Sequence, residues 1–158
     1  MTEAFKLVET WRGELTESRH RGHVVIADAQ GIRASWGNPN AIVSAHPGFT
    51  EWLAAQYALG ATICSVGTGS YFLAEAGLLD GRNATTHWYY FDDFSKRYPR
   101  VTLQRRRFIT HADRLYCTGS VNAVRDVMLH FVERLFTPEV ADEVSHHFTH
   151  ELKRSYES

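Results

Sequence analysis

Residues 61–66, ATICSV, form a short apolar run that ends on Gly67-Thr68-Gly69 and passes straight into a helix pattern from about Ser70 to Leu79. An apolar run of this length reads as a strand buried on both faces, as in a parallel sheet. Strand, sharp glycine turn and helix together make the geometry of a nucleophile elbow. The tight turn lifts one side chain out of the sheet. It also sets the backbone N–H groups of the next helix beside that side chain, where they can hold a developing oxyanion. The elbow position lies between Val66 and Thr68, and the residue there is Gly67. A glycine has no nucleophile. No lysine follows Gly-Thr-Gly, so the spacing fits no phosphate-binding Walker loop.

The chain on either side of this turn has two textures. Residues 1–43 read as strands: FKLVETW, ELTESRH, HVVIADA and IRASWG are short runs with partial alternation, broken by Gly13, Gly22 and Gly31. Ala29-Gln30-Gly31 suits a hairpin turn, and Gly37-Asn38-Pro39-Asn40 is the strongest turn signal in the chain. Residues 44–158 alternate between helix and strand. Thr50 is placed to cap a helix over Glu51–Leu59, with Gly60 as its stop. Asn83 to Thr86 read as extended, and a helix over Tyr89–Tyr98 stops at Pro99. Arg107–Ile109 and Leu115–Cys117 read as strands around His111-Ala112-Asp113. A helix from about Ser120 to Phe136 carries Val121, Val124, Met128, Phe131, Val132 and Leu135 on one face. Pro138 opens a last helix, with Val140, Val144, Phe148 and Leu152 as its apolar stripe.

Several function classes drop out on composition. The net charge of -1 over 158 residues gives no global pull on nucleic acid. The one basic run, Arg105-Arg106-Arg107, reads first as a solvated strand edge. Two cysteines, Cys64 and Cys117, make no disulfide framework, and no secretory signal precedes them, so a reducing cytoplasm is expected. No window approaches the ~18 apolar residues of a membrane span. Cys64 lies inside the strand, three residues before the turn, where burial keeps a thiol protonated and inert. Cys117 reads as a packed small hydrophobe. His146, His147 and His150, with Asp142, crowd the last helix. They lack the H-E-x-x-H order and read as a polar helix face, and no metal or cofactor is expected.

The stretch SVGTGSYFLAEAGLLDGRNATTHW closely resembles the motif of AraC-type transcription regulators that carry a PfpI-type domain of the class I glutamine amidotransferase-like superfamily. The resemblance runs from about His46 to the end of the chain, through CTGS and VNAVRDVMLHFVERLF. Relatives commonly carry S-x-C-T-G at the elbow. Their cysteine falls on Gly67, their histidine on His87, and the residues shaping the oxyanion pocket on Thr68 and Gly69. The resemblance therefore implies a pocket without its reactive atom. His87 is either a ligand contact or a helix-start histidine bonded to backbone, and both readings stay open.

Residues 1–43 resemble instead the opening of bacterial type II L-asparaginases, through an R-G pair, E-S-x-H-R-G-H, D-x-x-G and S-W-G-N-P. That family continues with R-S-x-x-K, whose serine and lysine form its catalytic pair. This chain continues with SAHPGF, and no lysine occurs between Lys6 and Lys96, so the active-site segment is lost.

These readings imply an α/β fold, a partial class I glutamine amidotransferase-like (flavodoxin-like) sandwich with an N-terminal β-hairpin zone. Residues 1–43 would be an asparaginase-like β segment, and 44–158 a sensor domain missing the strand–helix units that normally flank its elbow strand. The strand 61–66 then needs a cover for its bare edge, either the N-terminal hairpins or a second chain. The expected function is a non-catalytic, ligand-sensing or dimerisation domain of an AraC-type regulator, with a small-molecule ligand near Gly67, Thr68, Gly69 and His87. A homo-oligomer is expected, with no direct DNA binding by this chain and no membrane contact, since no helix-turn-helix follows the last helix. The rivals are an amide-bond hydrolase and a chimera, natural or engineered, without a ligand.

Overall fold

The computed structural model describes residues 24–28 and 38–156, with side chains described over 38–147. The described strands are β1 (Val24–Asp28), β2 (Thr62–Val66), β3 (Asn83–Ala84), β4 (Thr102–Leu103), β5 (Ile109–Ala112) and β6 (Leu115–Thr118). The helices are α1 (Pro39–Ala45), α2 (Pro47–Ala58), α3 (Ser70–Glu75), α4 (Phe91–Arg97), α5 (Val121–Leu135) and α6 (Pro138–Tyr156), with 3₁₀ turns at Gly67–Gly69 and Trp88–Tyr90. The chain divides into two compact units, Met1–Ser120 and Val121–Ser158.

The first unit is built on a four-stranded sheet in the order β1-β2-β6-β5. Strand β2 runs parallel to both neighbours, Ile63 facing Val25 on one side and Leu115 on the other. Strands β5 and β6 form an antiparallel hairpin. Ile63, Cys64, Ser65 and Val66 are all buried, as the unbroken apolar run foretells for a strand covered on both faces. Leu53, Tyr71, Phe72, Leu73, Leu79 and Phe94 complete the core around it.

The edge of β2 opposite β6 is covered from the N-terminal zone. The cover is one parallel strand: Val24 pairs with Thr62, and the register runs to Asp28 with Val66. The expected hairpin turn at Ala29-Gln30-Gly31 and the runs FKLVETW, ELTESRH and IRASWG lie outside the described residues.

Three local expectations are corrected. Asn38-Pro39-Asn40 does not turn the chain back. It starts α1, with Asn38 Oδ1 accepting from the N–H groups of Asn40 and Ala41 at 3.1 and 3.2 Å. Asparagine and proline serve turns and helix starts equally well, so their presence does not choose between them. Thr50 caps nothing. Helix α2 already begins at Pro47, and Thr50 sits buried inside it. The helix after the elbow stops at Glu75, not Leu79. Gly77, at φ +71, lets the N–H groups of Gly77 and Leu78 close back on Ala74 and Leu73 in a Schellman motif. The expected stop at Gly60 has the same pattern, with Gly60 and Ala61 closing on Tyr57 and Gln56.

The hairpin lies later than the apolar pattern suggested. Its turn is Asp113-Arg114, with Asp113 at φ +57, and Arg105 to Arg107 are exposed ahead of it. The turn is clamped at the N-terminal end of β2. Tyr57 donates its hydroxyl proton to Asp113, accepts from Arg82 Nη1 at 2.8 Å, and carries the Arg114 guanidinium over its ring at 4.6 Å.

In the second unit, α5 and α6 pack on one another. Helix α5 buries Ala123, Val127 and Phe131, with Val124, Met128 and Val132 half-buried beside them. Val121 and Leu135, expected on the same face, are exposed.

Candidate functional site

Strand β2 leaves the sheet at Val66 in an extended conformation, and Gly67 then turns to φ +51. That left-handed value costs an L side chain roughly 1–2 kcal/mol, and it is what a one-residue elbow between strand and helix requires. Asp28 and Thr118 occupy the register positions on either side of Val66. The turn therefore sits at the carboxyl ends of three parallel strands, where open α/β sheets place their ligands.

The turn is held by hydroxyls. Ser70 Oγ donates to the Gly67 carbonyl at 3.1 Å, and Thr86 Oγ1 donates to the same oxygen at 3.2 Å. Thr118 Oγ1 donates to the Ser65 carbonyl at 3.1 Å. Ser65, Ser70, Thr86 and Thr118 are fully buried. Burying a hydroxyl costs least when it is partnered, and each of these bonds also fixes the backbone it reaches. The Thr86 bond ties the segment that carries His87 to the elbow. Sequence reasoning passed over these four residues. The signal was a hydroxyl beside each glycine or histidine of SVGTGS, TTHW and CTGS.

Of the expected site residues, Gly67 and Gly69 are buried, while Thr68 and His87 are half-exposed. His87 caps the Trp88–Tyr90 turn, its Nδ1 accepting from the Tyr89 N–H at 3.3 Å. That is the helix-start role. It engages Nδ1 and leaves Nε2 as the nitrogen able to meet a ligand.

Neither cysteine replaces the missing nucleophile. Cys64 is fully buried, and burial, with a smaller push from Cys117, raises its thiol to about 12. Cys117 is also raised by burial. In the parallel register Cys64 faces Tyr116, and Ser65 faces Cys117. The two thiols therefore point to opposite faces of the sheet and cannot join. The apex of the elbow, Gly67, carries no side chain, and neither thiol reaches it.

Gly119, in CTGS, matters through closeness. A Cβ there would meet the Thr86 carbonyl at 3.2 Å and the Phe108 carbonyl at 3.7 Å. Both contacts are backbone, and the first belongs to the strap that holds His87. Gly119→Val should destabilise the chain by about 1–3 kcal/mol and shift the His87 imidazole resonances in NMR spectra. Unchanged stability and unchanged His87 resonances would show that the close approach is not real.

Among the described residues no group of His, Cys, Asp or Glu is placed to hold a metal ion. His146 and His147 are exposed on α6, and the side chain of His150 lies outside the described residues.

A model of the DJ-1/PfpI family matches residues 37–134, more than half the chain. A model of the L-asparaginase II family matches residues 8–46, so the two overlap at α1. The HTH-type transcriptional regulator CdhR of Pseudomonas aeruginosa is 36% identical over 102 residues, which are 65% of this chain and 30% of that protein. Among solved structures, a candidate transcriptional regulator from Vibrio parahaemolyticus superposes with a TM-score of 0.67 at 22% identity, over 82% of this chain and 65% of that one. An AraC family transcriptional regulator from Pseudomonas putida superposes with a TM-score of 0.59 at 24% identity, over 65% of this chain and 55% of that one. These two likenesses concern the fold. The chain spans less than a third of the length of the curated regulators it matches.

Proposed function

The chain belongs to the DJ-1/PfpI family, and from that premise we propose that it is the ligand-sensing domain of an AraC-type transcription regulator and catalyses nothing. One observation carries the reading. The elbow keeps its left-handed turn and its hydroxyl supports, yet the residue at its apex is Gly67. Kinship to HTH-type regulators supplies the setting. Retained geometry without a reactive atom suits recognition, and the glycine widens the space above the turn. The ligand would be a small nitrogenous metabolite, met by Thr68 and by Nε2 of His87.

The reading also makes the chain a cytoplasmic homo-oligomer. Among the described residues no helix is long and apolar enough to cross a membrane.

Thermal shift against a panel of amino acids, amines and amides tests the reading, alongside ammonia release from asparagine and glutamine. A ligand at a hundred times its Kd adds about 2.7 kcal/mol of stability, and His87→Ala should weaken that gain. No ammonia should form at high protein concentration. Ammonia production in proportion to protein would make the chain a hydrolase. A panel without any shift would leave it a fold with no ligand.

A further inference from the structure

The C-terminal ends of α3 and α4 meet through Glu75, Arg97 and Tyr98 and border a cleft of about 410 Å³. That volume falls within the roughly 300–1,000 Å³ of small-molecule sites. The elbow precedes α3 and the cleft lies at the other end of that helix, so the two are separate places. All of the cleft's walls belong to the first compact unit. Two ion pairs line it. Arg97 Nη2 meets Glu75 Oε2 at 3.3 Å, and Arg100 Nη2 meets Asp80 Oδ2 at 2.7 Å. Tyr98 donates its hydroxyl proton to the same Glu75 oxygen at 2.8 Å and accepts from Arg97 Nε at 3.1 Å. Burial raises the Tyr98 hydroxyl above its ordinary range, so it stays a donor. The Gly81 N–H donates to the Arg100 carbonyl at 2.8 Å, which ties the loops carrying Asp80 and Arg100 together. Pro99 stiffens the chain between the two arginines.

The lining thus carries two guanidinium groups and two carboxylates, with neither sign in excess. A lone anion would gain the arginines but face both carboxylates. A lone cation would meet the reverse. A ligand with one charge of each sign suits all four groups. The side chains of both pairs are partly exposed. Exposed ion pairs contribute little to stability, so each charge can take a ligand's opposite charge as a second partner at small cost. Both bonds to Glu75 go to Oε2, which leaves Oε1 for another donor. Guanidinium groups match a carboxylate with paired N–H donors, and an ammonium brings three donors to carboxylates. We propose that this cleft is a second binding site, for a small zwitterion of the α-amino acid class with an uncharged side chain. Arg97 and Arg100 take the carboxylate, and Glu75 and Asp80 take the ammonium. Tyr98 and Pro99 offer the apolar wall for the rest of the ligand. The site stands apart from the elbow and needs no ligand there.

The test is a titration of the full chain, read residue by residue in amide correlation NMR spectra. Three probes share one apolar part: L-valine carries both charges, isovalerate only the negative one and isobutylamine only the positive one. L-Valine should shift the amides of Glu75, Asp80, Gly81, Tyr98 and Arg100 with a Kd of about 1 mM or tighter. Isovalerate and isobutylamine should bind there about tenfold or more weaker, since each leaves one pair of charges unmet. Glu75→Gln keeps an acceptor for Tyr98 and loses the charge, and Arg100→Gln changes a side chain that is 79% exposed. Each should weaken L-valine about tenfold at the cleft. Circular dichroism checks that both variants fold, and the comparison of the three probes needs the parent chain alone. No shift around the cleft with L-valine at about 10 mM overturns the proposal. So does either single-charge probe binding as well as L-valine, or folded variants that bind it as the parent chain does. Shifts at Thr68 and His87 report the elbow instead. Their absence beside an intact cleft response would count against the sensing reading alone.

Discussion

Replacing Tyr71 with alanine is expected to remove about 3–5 kcal/mol of stability. For a domain of this size each kcal/mol is worth roughly 2–4 °C in Tm. Tyr71 is fully buried in α3, immediately after the elbow. Its ring meets Phe94 edge-on at 5.0 Å, Tyr98 at 5.7 Å and Tyr90 at 6.4 Å. Its hydroxyl donates to Asp93 Oδ2 at 2.8 Å, and Asn40 Nδ2 donates to that same oxygen at 3.0 Å. One side chain thus links α3, α4 and α1. Tyr71→Phe keeps the ring and loses one hydrogen bond, and Asp93 is exposed enough to be rehydrated, so it should cost only about 1 kcal/mol. Urea unfolding of both variants separates packing from the bond. An alanine variant within 1 kcal/mol of the parent chain would mean that the aromatic cluster does not organise this side of the fold.

The second large effect concerns β1. A chain lacking residues 1–28 should lose most of its soluble yield. Strand β2 is apolar and central, and without Val24–Asp28 it would present five residues of unpaired backbone on one side. A bare apolar edge is a template for pairing with other chains. The shortened chain should therefore pellet, or elute as large species, where the full chain does not. A soluble shortened chain with the parent's Tm would show that the asparaginase-like segment contributes nothing to the sheet.

The elbow was legible because its pattern is local. An apolar run, a glycine and a helix fall in order, and the positive φ of Gly67 is the backbone value that such an order needs. The need for a cover on β2 was legible, with the N-terminal zone as one of two candidates, but that a single parallel strand would supply it was not. HVVIADA reads as a strand, but its partner in a parallel pair lies far along the chain and leaves no trace in nearby residues. Helix α1 was hidden for a different reason: Asn38 and Pro39 suit a turn as well as a helix start. The hydroxyl supports were missed because a serine or threonine carries no mark of which carbonyl it will reach. The bond from Thr86 to Gly67 crosses nineteen residues of sequence and exists only once the strap is folded over the turn.

Whether the elbow is a geometry kept without its nucleophile can be measured directly with iodoacetamide. The native parent chain should take up no label at neutral pH, because Cys64 is buried with its thiol raised to about 12 and Cys117 is buried on the other face. Both should label on denaturation. Gly67→Cys restores a thiol at the apex of the turn, at a cost of roughly 1–2 kcal/mol for the left-handed backbone. The account predicts one rapidly labelled site in that native variant, at position 67, reacting at a pH below the ordinary thiol range. A variant that folds yet labels no faster than the parent, or a parent chain that labels at Cys64 without unfolding, would contradict it.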